Sequence, residues 1–178
     1  MPVFASLLFS AALMAPPVMA LPAEAPITEG AVLDAPTRHI RTTDASIRRL
    51  LKRGFRGSHS FAALVRRIQR SDVYVYVEEV DRLPNALEGR MMMLPRAHEH
   101  RYVRIQISLR GDSEDAVAVL GHELQHAVEV AEALDVSDQD GLAKLYQRIG
   151  IRGGEHVYDT VAAQQMGKTV RRELFATS

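Results

Sequence analysis

The sequence predicts an α+β domain: two short helices, then a short and mostly antiparallel sheet, then a long helix followed by two further helices. Three patterns carry that expectation. Apolar residues recur at helical spacing up to Ile68, β-branched and aromatic residues crowd or alternate between Val73 and Leu109, and helical spacing returns from Ser113. Strands and helices are grouped rather than interleaved, which argues against a parallel α/β architecture. At 178 residues, 47% of them hydrophobic, the chain can bury a real core as one domain.

The chain opens with a largely apolar, uncharged run from Val3 to Ala15 that is too short for a comfortable membrane span and is broken by Pro16 and Pro17. Val18 and Ala20 are small residues at the −3 and −1 positions of a cleavage site. Residues 1–20 are therefore expected to be a signal peptide, leaving an exported protein, periplasmic or secreted, with no stable membrane span. Because no Lys or Arg stands in the first 25 residues, an uncleaved anchor or a cytosolic apolar tail are the alternatives. Residues 21–41 are rich in Pro, Ala and acids without periodicity and read as a flexible leader, so that the folded domain would occupy 42–178. With no cysteine, no disulfide assists that fold, and its core must suffice.

Ile47, Leu50 and Leu51 mark a first helix, and Phe61, Leu64, Val65 and Ile68 a cleaner second one. Their polar faces are loaded with arginine: ten Lys or Arg against one acid between Arg38 and Arg70, whereas twelve acids face six basic residues from Asp112 onward. A solvated basic face explains this best; an exported chain without interleaved aromatics is not expected to bind nucleic acid. "VYVYVEEV" reads as a well-buried strand, and "GRMMML" as a short strand ended by Pro95. In "RYVRIQISLR", Val103, Ile105, Ile107 and Leu109 alternate with Arg104, Gln106, Ser108 and Arg110, a strand with one buried face. Three helices follow: Ser113 to about Leu134, Asp138 to Ile149 behind the capping pattern "SDQD" and before Gly150, and about Val157 to Leu174.

The first of these three holds "VLGHELQHAVEVAE". At ~100° per residue, Val117, Leu120, Leu124, Ala127, Val128 and Ala131 form one core-facing stripe. His122 and His126 fall on the opposite side, one turn apart, where two imidazoles can share one tetrahedral ion. Val119, Val130 and Ala133 flank them, so that side of the helix is expected to look into a sheltered cleft rather than water. A buried neutral imidazole needs a partner, and a metal ion is a good one. A shuffled chain of this composition would carry H-E-x-x-H only about once in fifty.

"HELQH", with apolar Val119 and Leu120 before it and Ala127 and Val128 after it, resembles the H-E-x-x-H signature of the zincin metallopeptidases. The element order is also similar to the zincin domain, in which a small sheet precedes the active-site helix and further helices follow. The resemblance implies that His122 and His126 are zinc ligands and that Glu123 is the general base, acting on a water whose pKa the Zn2+ lowers to roughly 7. It implies a peptide or protein substrate and an exported zinc-dependent hydrolase.

The third ligand stays open. One zincin branch continues H-x-x-G-x-x-H, but Glu129 and Glu132 stand where its glycine and histidine would be, and an unbroken helix keeps Glu132 about 120° away from His126. Glu129 shares the histidine face and is better placed to orient His126. The gluzincin branch takes an acid from a later helix, for which Glu155, Asp159 and Glu173 are candidates. Asp159 is preferred because it opens the last helix; should it only cap that helix, Glu155 or Glu129 would serve. His156 or Tyr158 could stabilise the transition state, although packing is the plainer role for each. His98 and His100 in "HEH" are expected to lie in solvent. Against the hydrolase stand a non-catalytic metal- or peptide-binding domain of the same shape, and a plain helix whose histidines pair with acids.

Overall fold

A computed structural model describes residues 39–109, 113–152 and 158–177. The expected signal peptide, most of the expected leader, Glu155 and His156 lie outside the described residues. The class is α+β, as expected. A four-stranded sheet contains β1 (Ile40–Arg41), β2 (Val73–Glu79), β3 (Gly89–Ala97) and β4 (His100–Ile107), in the order β1-β2-β4-β3. One face of it is covered by helices α1 (Ala45–Gly57), α2 (His59–Gln69) and α3 (Ser113–Glu132). Helix α4 (Gln139–Ile149) packs beside β3, helix α5 (Val161–Thr177) packs on α3, and a small ribbon of β5 (Ile151–Arg152) and β6 (Tyr158–Asp159) joins them. Among the described residues no helix is long and apolar enough to cross a membrane.

The sheet is mixed rather than mostly antiparallel. β1 and β2 are parallel, β2 and β4 are parallel, and only β3 and β4 run in opposite directions. The connections explain this. The β1–β2 link carries α1 and α2, which bring the chain back to the end of the sheet where it began, while β3 and β4 are joined by a tight turn at His98 and Glu99. Alternation along a strand reports which face is buried and is silent about direction. β1 also begins at Ile40, inside the segment expected to be leader, because His39 O accepts the amide of Val75.

Val73, Val75, Val77, Val103, Ile105 and Ile107 form the covered face, where they meet Phe61, Leu64, Leu120 and Leu124. The tyrosines of β2 lie on the other face, so this strand is buried on one side only; Tyr74 and Tyr102 stack at 5.5 Å. Pro95 does not end β3. The strand is at the sheet edge and its register with β4 shifts between Leu94 and Ala97, so the missing N–H costs no ladder bond. The helix opened by "SDQD" is capped by Asp138, whose carboxylate accepts from the amide of Gly141. The last helix starts at Val161 instead of about Val157, since Tyr158 and Asp159 are taken up by β6.

Candidate metal centre

Helix α3 is buried on nearly all sides, with Leu120, Leu124 and Ala127 in the core and His126 itself only 5% exposed. His122 and His126 leave it toward a hollow of about 680 Å³. Their rings stand 4.9 Å apart, edge to face. Both turn Nε2 toward one atom, Asp159 Oδ1, at 3.2 Å from His122 and 3.6 Å from His126. Ligating atoms of the three residues all lie within 4.8 Å of one another, so His122, His126 and Asp159 could hold a metal ion.

Asp159 is free for this task because its neighbour does the capping. Thr160 Oγ1 accepts the amide of Ala163 and Thr160 O accepts that of Gln164, which makes Thr160 the N-cap of α5. Asp159 is itself steadied by the Thr160 amide on Oδ1 and by the Gln164 side chain on Oδ2.

A second ring of contacts fixes the donors. His126 Nδ1 donates to Glu129 Oε2 at 2.9 Å, and Glu129 Oε1 accepts from Thr160 Oγ1 at 2.7 Å. Glu129 therefore ties the helix that carries both histidines to the residue adjoining Asp159. Both imidazoles present Nε2 to Asp159, and His126 has an acceptor on its other nitrogen, the arrangement by which a hydrogen-bond partner orients a metal-ligating histidine. Glu173 stands elsewhere, accepting from Ser58 Oγ, Ser60 Oγ and the Ser60 amide.

The electrostatics are uneven. Burial would lower the His126 pKa, but the nearby Asp159 carboxylate and the hydrogen bond to Glu129 override it and raise the ring to about 9. Asp159, despite its own partial burial, is held down at about 2 by His126, Gln164 and His122. Burial and the neighbouring His126 lower His122. A divalent cation would compete with the proton shared in this cluster. Glu123 differs in kind: burial pushes its carboxyl up to about 7, offset only in part by His126, and none of the influences on it is a hydrogen bond.

Several residues of the site were not legible in the sequence. Gly89, at the start of β3, lies so close that a methyl group there would stand 2.5 Å from Glu123 Oε1 and 2.8 Å from its Cγ. Tyr146 of α4 packs edge-on against the His126 ring at 5.2 Å, its hydroxyl buried without a well-formed hydrogen bond and its pKa driven up by burial and by Glu129. The outer edge of β3 forms a wall of the hollow. Glu88 O accepts from Ser108 on the β4 side, so the backbone groups of Gly89, Met91 and Met93 alternate to the free side. The Met93 amide there is taken by Gln139 Oε1 at 3.1 Å, leaving Gly89 and Met91 to the hollow. Only Gly89 had a possible signal, a glycine at a strand entrance. Tyr158 contributes its backbone to β6. His98 is exposed as expected, whereas His100 is half-buried against Tyr74.

No protein-family model, curated protein or solved structure matches the chain.

Proposed function

We propose that the chain is an exported, zinc-dependent metallopeptidase of the gluzincin kind, with His122, His126 and Asp159 as ligands and Glu123 as general base. One observation carries the reading: two imidazole Nε2 atoms and an Asp159 oxygen meet in a hollow that also holds a buried Glu123 with no hydrogen bond or ion pair among the described residues. The donor set fits zinc. Two imidazoles and one carboxylate, with His126 and Asp159 already steadied by further partners, suit a tetrahedral ion with one position left open. When bound, the ion would polarise a carbonyl and lower the pKa of a water molecule to about 7.

The chain's own residues supply the rest. Glu123, lining the hollow beside His122 and His126, is placed to accept a proton and return it to a leaving amine. An aspartate would fall short of the hollow and a glutamine could not take the proton. A peptide is favoured as substrate because the free edge of β3 offers the backbone of Gly89 and Met91 to an extended chain. Met91, Met93 and Leu142 provide an apolar wall for a side chain beside it.

Purified protein should carry one equivalent of zinc, lost in His122→Ala. Glu123→Gln should keep the metal and lose hydrolysis of casein, and a mature chain starting at Leu21 would support export. Zinc without hydrolysis would leave a binding domain. If the protein contains no metal and its Tm ignores a chelator, the metal reading fails.

A further inference from the structure

The cleft continues past the histidines. A second hollow of about 370 Å³ shares His122 and Glu123 with the first and has α5 as its far wall. α5 crosses close to α3 because Gly121 has no side chain; a methyl group there would press on Val170 at 3.0 Å. Beside that crossing, Gly167 lies against His122, and the next residue, Lys168, lines the hollow together with Arg171, Asp115 and Glu88. A third hollow of about 670 Å³ shares Lys168 and Arg171 and is lined by Gln165, Thr169 and Arg172 as well, without a carboxylate.

The charges along this path do not cancel. Arg171 is engaged by Asp115 at 2.6 Å. Lys168 and Arg172 make no ion pair among the described residues, Arg172 donating instead to Thr169 Oγ1. Against these two cations stands Glu88, on the opposite lip. The first hollow is different in character, with Met91, Met93 and Leu142 in its wall. A chain extended along β3 would therefore pass from an apolar chamber, across Glu123, through a hollow of mixed charge to the carboxylate-free one at Lys168 and Arg172.

We infer that the substrates are acidic peptides, with an apolar residue on the α4 side of the scissile bond and a carboxylate, from a side chain or the chain terminus, paired with Lys168 and Arg172 on the α5 side. This rests on the peptidase reading above. Exposed ion pairs contribute up to ~1 kcal/mol each, so the discrimination should be about fivefold per pair. It should fade at high salt, where exposed charges are screened.

The test uses fluorescein-labelled octapeptides with a central Met-Leu, differing only in whether two flanking positions are Glu, Gln or Lys, placed toward either end. Their anisotropy is measured with zinc-treated Glu123→Gln protein, in which cleavage does not intervene. The Glu peptide should bind at least fivefold more tightly than the Gln peptide, and Lys168→Glu with Arg172→Glu should reverse the order in favour of Lys. Equal binding of the three, no binding of any, or a preference untouched by the double charge reversal overturns the inference. If zinc and Glu123-dependent casein hydrolysis persist in that event, the peptidase reading survives alone; if the charge preference appears without zinc or hydrolysis, the reverse holds.

Discussion

Helix α3 carries two buried polar centres, and they are built on opposite principles. At its C-terminal end, Arg101 reaches up from β4 and is 2% exposed. Its guanidinium donates to both oxygens of Asp72 at 2.7 Å and to the carbonyls of Val130, Ala131, Ala133 and Val136. Val130 O and Ala133 O also accept the amides of Ala133 and Val136, so the guanidinium adds a second donor there and serves Ala131 O and Val136 O at the helix end and the turn after it. Three turns earlier, Glu123 is also buried, yet no hydrogen bond meets it among the described residues. One charge is compensated on every side and pins the helix to the sheet. The other is left uncompensated and faces a hollow, which is how a protein keeps a group reactive at a cost in stability.

The sharpest way to break the comparison is to remove each charge and read both activity and stability. Glu123→Gln should lower hydrolysis by about 10³-fold, within the range general-base catalysis contributes, while the Tm stays level or rises, because an unpaired buried carboxylate has been removed. Arg101→Met should do the opposite. It leaves the carbonyls of Ala131 and Val136 and the carboxylate of Asp72 without the guanidinium, and urea unfolding should show a loss of about 3–5 kcal/mol, with zinc stoichiometry intact in the protein that remains folded. If Glu123→Gln unfolds the protein or Arg101→Met is neutral, the two centres are not different in kind.

Much of the Glu123 centre was legible because it is local. His122, Glu123 and His126 follow from helical spacing, and the apolar residues around them foretold a covered face. Asp159 was reachable as an acid at the start of a later element, though it stands one residue ahead of a cap at Thr160 that the sequence did not mark. The Arg101 centre was invisible. Arg101 precedes an alternating strand, and nothing in its neighbourhood says that it meets Val130 and Asp72, 29 residues away in either direction. The same reason hid Gly89 and Tyr146, whose roles depend on which elements pack together. Periodicity tells which side of an element is covered and never by what. It also gave no account of strand direction, which depends on the length and content of the connections.

A smaller change sharpens the view of how the cluster of His122, His126 and Asp159 is assembled. Thr160→Val keeps the size of the residue but removes the hydroxyl that donates to Glu129 and caps α5. Loss of such a second-shell partner should weaken zinc binding by about 10–100-fold, read by competition with a chromophoric chelator. Thr160→Ser should restore most of it. Equal affinity in all three proteins would mean that Glu129 positions His126 without help from the Asp159 side.

The smallest effect concerns Asp72, the exposed half of the compensated centre. The hydrogen bond and charge of Arg101 hold its carboxyl below the ordinary aspartate value of 3.8 against an opposing contribution from burial. A folded-state pKa below the unfolded one means stability that is fully present above the unfolded value and is lost as the pH falls from there through the folded value. The loss should not exceed ~1 kcal/mol, because 36% of the side chain is in water and the pair is partly screened. Asp159 and Glu173 are also held low and titrate in the same acid region. The informative quantity is therefore the difference between the wild type and Asp72→Asn, measured as urea midpoints from pH 6 down to pH 2. That difference should be largest at pH 6 and shrink toward pH 2, as the wild type loses what the variant never had. Parallel curves would show that Asp72 adds nothing and that the helix carbonyls alone hold Arg101 in place.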